Sequence, residues 1–109
     1  MTILTNELAA SSVPKATLRA LTELTGQVEL GPAILMTLRD AIEHRLEVIE
    51  AGMRVYEQRY GMSFEKFEFN GRSGDLPARF SYPVEQDYID WDGLIARQRK
   101  LQEILQWLA

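Results

Sequence analysis

Apolar positions along the chain predict two long amphipathic helices. In the first, from about residue 32 to 60, the large apolar residues are separated by 3, 4, 4, 3, 4, 3 and 4 positions, the period of an α-helix. These residues are Leu35, Leu38, Ile42, Leu46, Ile49, Met53, Tyr56 and Tyr60. In the second, from about 84 to 108, one seam follows an unbroken heptad pattern through Trp91, Leu94, Gln98, Leu101, Leu105 and Leu108. The pattern predicts an all-α fold in which the two helices pack as an antiparallel hairpin.

The segment between the two long helices is rich in aromatic residues. It begins with YEQRYGMSFEKFEF, residues 56–69. Gly61 is predicted to end the first long helix, and Ser63 to cap a short helix that carries Phe64 and Phe67. The following NGRSGDLP is dense in turn residues and predicts a loop. The hairpin should therefore have a short aromatic helix at its joint.

The N-terminal part has weaker patterns. Residues 1–12 are interpreted as a loose arm or one short strand. A short helix is predicted from about 13 to 25, with Ser12 as its cap, Pro14 in its first turn and Gly26 at its end. This divides the chain into an N-terminal arm and short helix, residues 1–31, and a helical hairpin domain, residues 32–109.

A second stripe of mostly small residues follows another side of the first long helix. Small residues at heptad spacing allow a second helix to approach closely, so we expect this helix to pack on two sides. The neighbour would be the N-terminal helix or a second subunit, which makes an oligomer or hetero-complex an expectation. The predicted packing residues are Ala41, Val48, Ala51 and Val55.

Composition narrows the class of protein. Apolar residues make up 46% and charged residues 26% of the 109, as in ordinary globular domains. The net charge is −4, which argues against a broad nucleic-acid-binding surface and leaves room for a basic protein partner. The chain has no cysteine, so thiolate metal sites and disulfides are excluded. Neither a signal peptide nor a membrane-spanning run is predicted, and a cytoplasmic location is expected.

The sequence offers little catalytic chemistry. The single histidine, His44, lies in the stripe of small residues, where a packed or rim role is the expectation. Carboxylates on the two long helices suggest an alternative, a small all-helical magnesium-dependent nucleotide hydrolase. They are Glu43, Glu47, Glu50, Asp87 and Asp90. However, arginines lie on the same side of the first long helix as the glutamates, as on an ordinary solvated surface. The two aspartates lie near a helix N-terminus, where the helix dipole already favours negative charge. We therefore predict a protein that is not an enzyme and has no metal site or cofactor.

Three groups of residues within positions 50–105 form a recognisable pattern: Tyr60-Gly61-Met62-Ser63, then Phe64 and Phe67, then Asp90, Trp91 and Leu94. In this pattern residues 50–105 resemble small helical antitoxins encoded beside toxin genes. This resemblance implies a protein that binds a cognate toxin and covers its active surface, and the acidic chain suits a basic toxin. The partner-binding residues predicted on this basis are Tyr60, Phe64, Phe67, Phe69, Asp90 and Trp91.

Whether the aromatic joint belongs to the core or to an interface stays open on the sequence. Tyr56 and Tyr60 continue the helix seam, which favours burial. For the three phenylalanines the favoured hypothesis is that Phe64 and Phe67 are partly exposed anchors for a partner. Gln98 is predicted to lie in or beside the seam and to set the register of the paired helices.

Overall fold

The computed structural model describes residues 12–73 and 82–108. These residues form four α-helices and contain no strand: α1 (Lys15–Thr25), α2 (Leu30–Tyr60), α3 (Phe64–Ser73) and α4 (Tyr82–Leu108). The all-α prediction is confirmed. The arm predicted for residues 1–12 lies outside the described residues apart from Ser12, as does the part of the predicted loop that follows Ser73.

The two long helices, α2 and α4, pack against each other as an antiparallel hairpin. Residues nearer the N-terminus of α2 contact residues nearer the C-terminus of α4, as the antiparallel arrangement requires. Tyr60 meets Asp87, Tyr56 stacks on Trp91, and a Cβ added to Gly52 would lie 3.2 Å from Leu94 Cδ1. The absence of a side chain at Gly52 thus allows the two helices to approach closely at mid-length.

Local chemistry fixes the ends of α2. The helix begins at Leu30, two residues before the predicted start, and the Ala33 N–H donates to the carbonyl of Glu29 at 3.2 Å. Pro32 is accommodated there because a first-turn N–H has no intrahelical acceptor. At the other end Gly61 takes a left-handed conformation (φ +65°), and its N–H donates to the Glu57 carbonyl at 2.7 Å. The predicted end of the helix at Gly61 is confirmed.

Helix α3 is longer than the sequence predicts. Ser63 caps it as expected, with its Oγ accepting from the Lys66 N–H at 3.3 Å. The helix continues through residues 70–73, however, where a loop was expected. An ion pair one turn apart, between Arg72 and Glu68 at 3.2 Å, supports this last turn despite its turn-forming composition. The loop prediction is wrong for these four residues.

Helix α1 matches its predicted span to within two residues. Its N-cap is Pro14, with no side-chain cap hydrogen bond, so the predicted Ser12 cap is wrong. Gly26 ends the helix in the left-handed conformation, donating to the Thr22 carbonyl. No residue of α1 is fully buried, and Leu24 is exposed.

The chain divides into two compact units, and the boundary lies within α2, between Glu43 and His44. In the first unit Ala33 and Ile42 are buried, whereas Leu35 and Leu38 of the predicted seam are exposed. The second unit holds the rest of α2, all of α3 and α4 up to Trp107. The aromatic core and the residues that surround it lie in this second unit.

Candidate partner-binding site

The aromatic joint is built around a fully enclosed tryptophan. Trp91 has 0% of its surface exposed and Phe67 has 1%, and with Phe64 and Ile95 they form the buried cluster. Partly buried side chains surround this cluster: Met53, Tyr56, Tyr60, Met62 and Val84. Three helices thus contribute to one core, which holds α3 against the hairpin.

Ring geometry shows that the phenylalanines pack specifically. The Phe67 ring centroid lies 4.4 Å from that of Tyr60 and 5.2 Å from that of Trp91. Phe64 meets Trp91 edge-on at 5.3 Å, an arrangement favoured by the ring quadrupoles. The expectation that Phe64 and Phe67 are partly exposed anchors is therefore wrong. Trp91, also predicted for partner binding, is likewise buried within its own chain, where its ring packs against Tyr56 of α2 and the two phenylalanines of α3.

The other predicted partner-binding residues have different surroundings. Phe69 is 66% exposed, since it follows Phe67 by two residues and falls on the opposite side of α3. Asp90 is exposed and accepts a hydrogen bond from Gln86 Nε2 at 2.9 Å. Tyr60 is half-buried, with its ring in the core and its hydroxyl on a carboxylate. Phe69 and Asp90 are thus the accessible members of the predicted set.

Asp87 joins α4 to the end of α2. Its Oδ2 accepts hydrogen bonds from the Tyr60 hydroxyl and from Arg59 Nη1, both at 2.6 Å. Partial burial alone would raise the pKa of Asp87, but these hydrogen bonds and the Arg59 charge lower it below its ordinary value. Burial, followed by the hydrogen bond to Asp87 and its charge, raises the pKa of Tyr60 to about 12. The arrangement is a structural clasp between the two helices.

A second clasp joins α3 to α4. The Tyr88 hydroxyl donates to Glu68 Oε2 at 2.8 Å, and its ring lies 5.7 Å from that of Phe64. This hydrogen bond, with partial burial, raises the pKa of Tyr88. The sequence analysis did not identify Tyr88 and Glu68 as partners, although Tyr88 in QDYIDW could have been recognised as a second aromatic residue close to Trp91.

A half-open cavity of about 270 Å³ lies beside the aromatic core. Its lining comes from the last turns of α2, the start of α3 and the middle of α4. Four apolar side chains, Met53, Phe64, Trp91 and Ile95, form what we call its floor. The polar side chains, which we call its rim, are Glu57, Ser63, Glu65, Gln98, Arg99 and Gln102. Gln98, predicted to lie in or beside the seam, is half-buried.

The indole N–H of Trp91 is buried and has no hydrogen-bond acceptor among the residues that the structure describes. Leaving such a donor unpaired costs about 1–3 kcal/mol. An unpaired donor in a native core calls for an explanation in packing or in function. Here the same side chain is the fully buried member of the cavity floor, with none of its surface exposed.

The predicted packing stripe on α2 is accessible. Val48 and Val55 are 59% and 51% exposed, and Ala41 and Ala51 are exposed as well. His44 lies in the same stripe and is also exposed. The contact expected for this stripe, with the N-terminal helix or with a second subunit, stays a prediction.

Within residues 12–73 and 82–108, no three acidic or histidine side chains lie close enough together to hold a metal ion. Asp87, one of the carboxylates considered for magnesium, is engaged by Arg59 and Tyr60. No observation on these residues favours the nucleotide-hydrolase alternative.

Comparison with protein-family models, curated proteins and solved structures gave no match to this chain. Over the same described ranges, none of the helices has the length and apolarity needed to cross a bilayer.

Proposed function

We propose that the protein is an interaction module that binds a partner protein beside its aromatic joint. The observation that carries the proposal is the cavity next to the core. Its floor is apolar and aromatic, and most of its rim consists of polar side chains that make no hydrogen bond or ion pair with the described part of the chain. Protein interfaces have the same composition, with an apolar centre inside a polar rim.

The class of partner follows from the resemblance of residues 50–105 to antitoxins. On that basis we propose that the chain binds and neutralises a cognate toxin in the cytoplasm, without catalysis of its own. The net charge of −4 favours a basic partner, because opposite net charges accelerate association. A toxin that acts on nucleic acid would carry such a charge.

Capture from the native host tests this proposal. The tagged chain is expressed at native level, crosslinked and purified, and co-purifying proteins are identified by mass spectrometry. We expect one partner at a stoichiometric ratio, basic in composition, that arrests growth when expressed alone. Co-expression of the chain should restore growth.

The outcomes of this experiment test separately whether the chain binds a partner protein and whether that partner is a toxin. A stoichiometric partner that has no effect on growth would leave the interaction module standing and refute the antitoxin role. The absence of any stoichiometric partner would refute both.

A further inference from the structure

The size of the cavity limits what it can bind. At about 270 Å³ it lies below the roughly 300–1,000 Å³ of typical small-molecule sites. It is large enough for one large side chain. Interfaces commonly concentrate their binding energy in such a pocket, which receives a single aromatic or aliphatic anchor from the partner.

The floor of the cavity suits an aromatic anchor. Met53 is half-buried and supplies a flexible thioether to the cavity, a side chain that adapts well to aromatic partners. Phe64 borders the cavity with 8% of its surface exposed, and Trp91 lines it with no exposed surface. Phe64, Trp91 and Ile95 belong to the packed core, and Met53 packs against it. The floor is therefore preformed, which reduces the entropy lost on binding.

The rim adds a charge preference. Glu57 and Glu65 are exposed, and neither side chain has an ion-pair or hydrogen-bond partner within residues 12–73 and 82–108. Arg99 is the one cationic residue of the rim, so two carboxylates against one guanidinium leave the rim negative. The amides of Gln98 and Gln102 are available to a partner's main chain, since an amide both donates and accepts.

From these observations we propose that the cavity binds one aromatic side chain of a partner protein, presented next to lysine or arginine. This inference rests on the proposed function and specifies the chemistry of the partner's binding segment. The aromatic ring rests on Met53 and on the exposed part of Phe64, and the neighbouring cations pair with Glu57 and Glu65.

A short peptide tests the cavity without the partner. The full-length chain, labelled with ¹⁵N, is titrated with the unlabelled peptide acetyl-Lys-Trp-Lys-amide, and the two indole N–H resonances are followed by NMR. A Trp107→Phe variant identifies the signal of Trp91. We expect the Trp91 resonance to shift with a dissociation constant on the order of 1 mM, as suits a single anchor without the rest of an interface. The Trp107 resonance serves as an internal control and should not follow the same curve.

Matched variants test the charge preference. The double variant Glu57→Gln/Glu65→Gln should weaken peptide binding about five-fold or more, because each exposed ion pair contributes up to about that factor. Glu43→Gln/Glu47→Gln makes the same change in net charge on exposed residues that do not line the cavity, and should leave binding nearly unchanged. The peptide acetyl-Glu-Trp-Glu-amide should bind more weakly than the basic one.

Three results would overturn the inference: an unmoved Trp91 resonance at 10 mM peptide, about ten times the expected constant, equal weakening by both double variants, or equal binding of the basic and acidic peptides. The partner-capture experiment described above distinguishes a failure of this inference from a failure of the proposed function. If the Glu57→Gln/Glu65→Gln variant captures the partner as well as the unchanged chain does, the module stands and the cavity is not its anchor site. A shifted Trp91 resonance without any captured partner would support the cavity and refute the module.

Discussion

The phenylalanines of α3 provide an internally controlled test of the core. Phe67 and Phe69 are the same residue type on the same helix, two positions apart, yet Phe67 is buried and Phe69 is exposed. Truncating each to alanine changes helix propensity equally. The difference between the two variants therefore measures burial and ring packing alone.

The structure sets the expected magnitude. Phe67 contacts the rings of Tyr60 and Trp91 closely and that of Tyr88 at 6.4 Å, and truncating a buried phenylalanine to alanine costs about 3–5 kcal/mol. Phe69→Ala should change the free energy of unfolding by no more than about 0.5 kcal/mol, as at other exposed positions. For a domain of this size 1 kcal/mol corresponds to roughly 4–8 °C in Tm, so Phe67→Ala should lower Tm by at least about 12 °C.

Urea unfolding followed by circular dichroism at 222 nm measures both variants. The midpoint should fall for Phe67→Ala and stay within error of the unchanged chain for Phe69→Ala. If the two free energies of unfolding differ by less than about 1 kcal/mol, well below the lower end of the range for a buried ring, the rings of α3 do not form the core described here.

Three further predictions concern the hairpin. The folded-state pKa of Tyr60 lies above its ordinary value, so the contribution of Tyr60 to the free energy of unfolding is complete below pH 10 and is lost as pH rises toward about 12. Urea unfolding measured at increasing alkaline pH should therefore show a smaller loss of stability in Tyr60→Phe than in the unchanged chain, and an equal dependence of stability on pH would refute the clasp with Asp87. Gln98→Leu should raise Tm, because an apolar residue suits the seam better than a half-buried amide, and a clear loss of stability would mean that polar contacts of the amide matter more. Ala51→Arg should shift sedimentation toward the monomer with little loss of helicity if the exposed stripe joins two subunits, whereas unchanged mass and stability would mean that the stripe faces solvent.

Periodicity was sufficient to predict both long helices, and local chemistry to predict their junction. The left-handed Gly61 and the capping Ser63 are visible in sequence because each satisfies backbone groups near its own position. Residues 70–73 were misassigned because their composition favours a turn, whereas the contacts that hold the helix involve Glu68 with Arg72 and with Tyr88 of α4. The second of these contacts is tertiary, and local patterns do not report it.

The orientation of the aromatic rings was only partly predictable. Phe64 and Phe67 are three residues apart and share one face of a helix, while Phe69 cannot share it. Applying that spacing would have separated Phe69 from the other two. Which of the two faces meets α2 and α4 depends on how α3 folds back, and the sequence pattern carries no such information. The cavity was not predictable for the same reason, since its lining combines three helices.

The short connection between α2 and α3 makes chain length itself a constraint. Gly61 closes one helix and Ser63 opens the next, so Met62 is the one residue between them, and it packs on the core. This connection is too short to accommodate an inserted residue as an additional loop position. If the inserted residue instead lengthens α3, the residues that follow it rotate by about 100° around the helix axis. That rotation would carry Phe64 and Phe67 away from Trp91. Insertions and deletions should therefore be excluded between Tyr60 and Phe67, and related chains should align there without gaps even where individual residues differ.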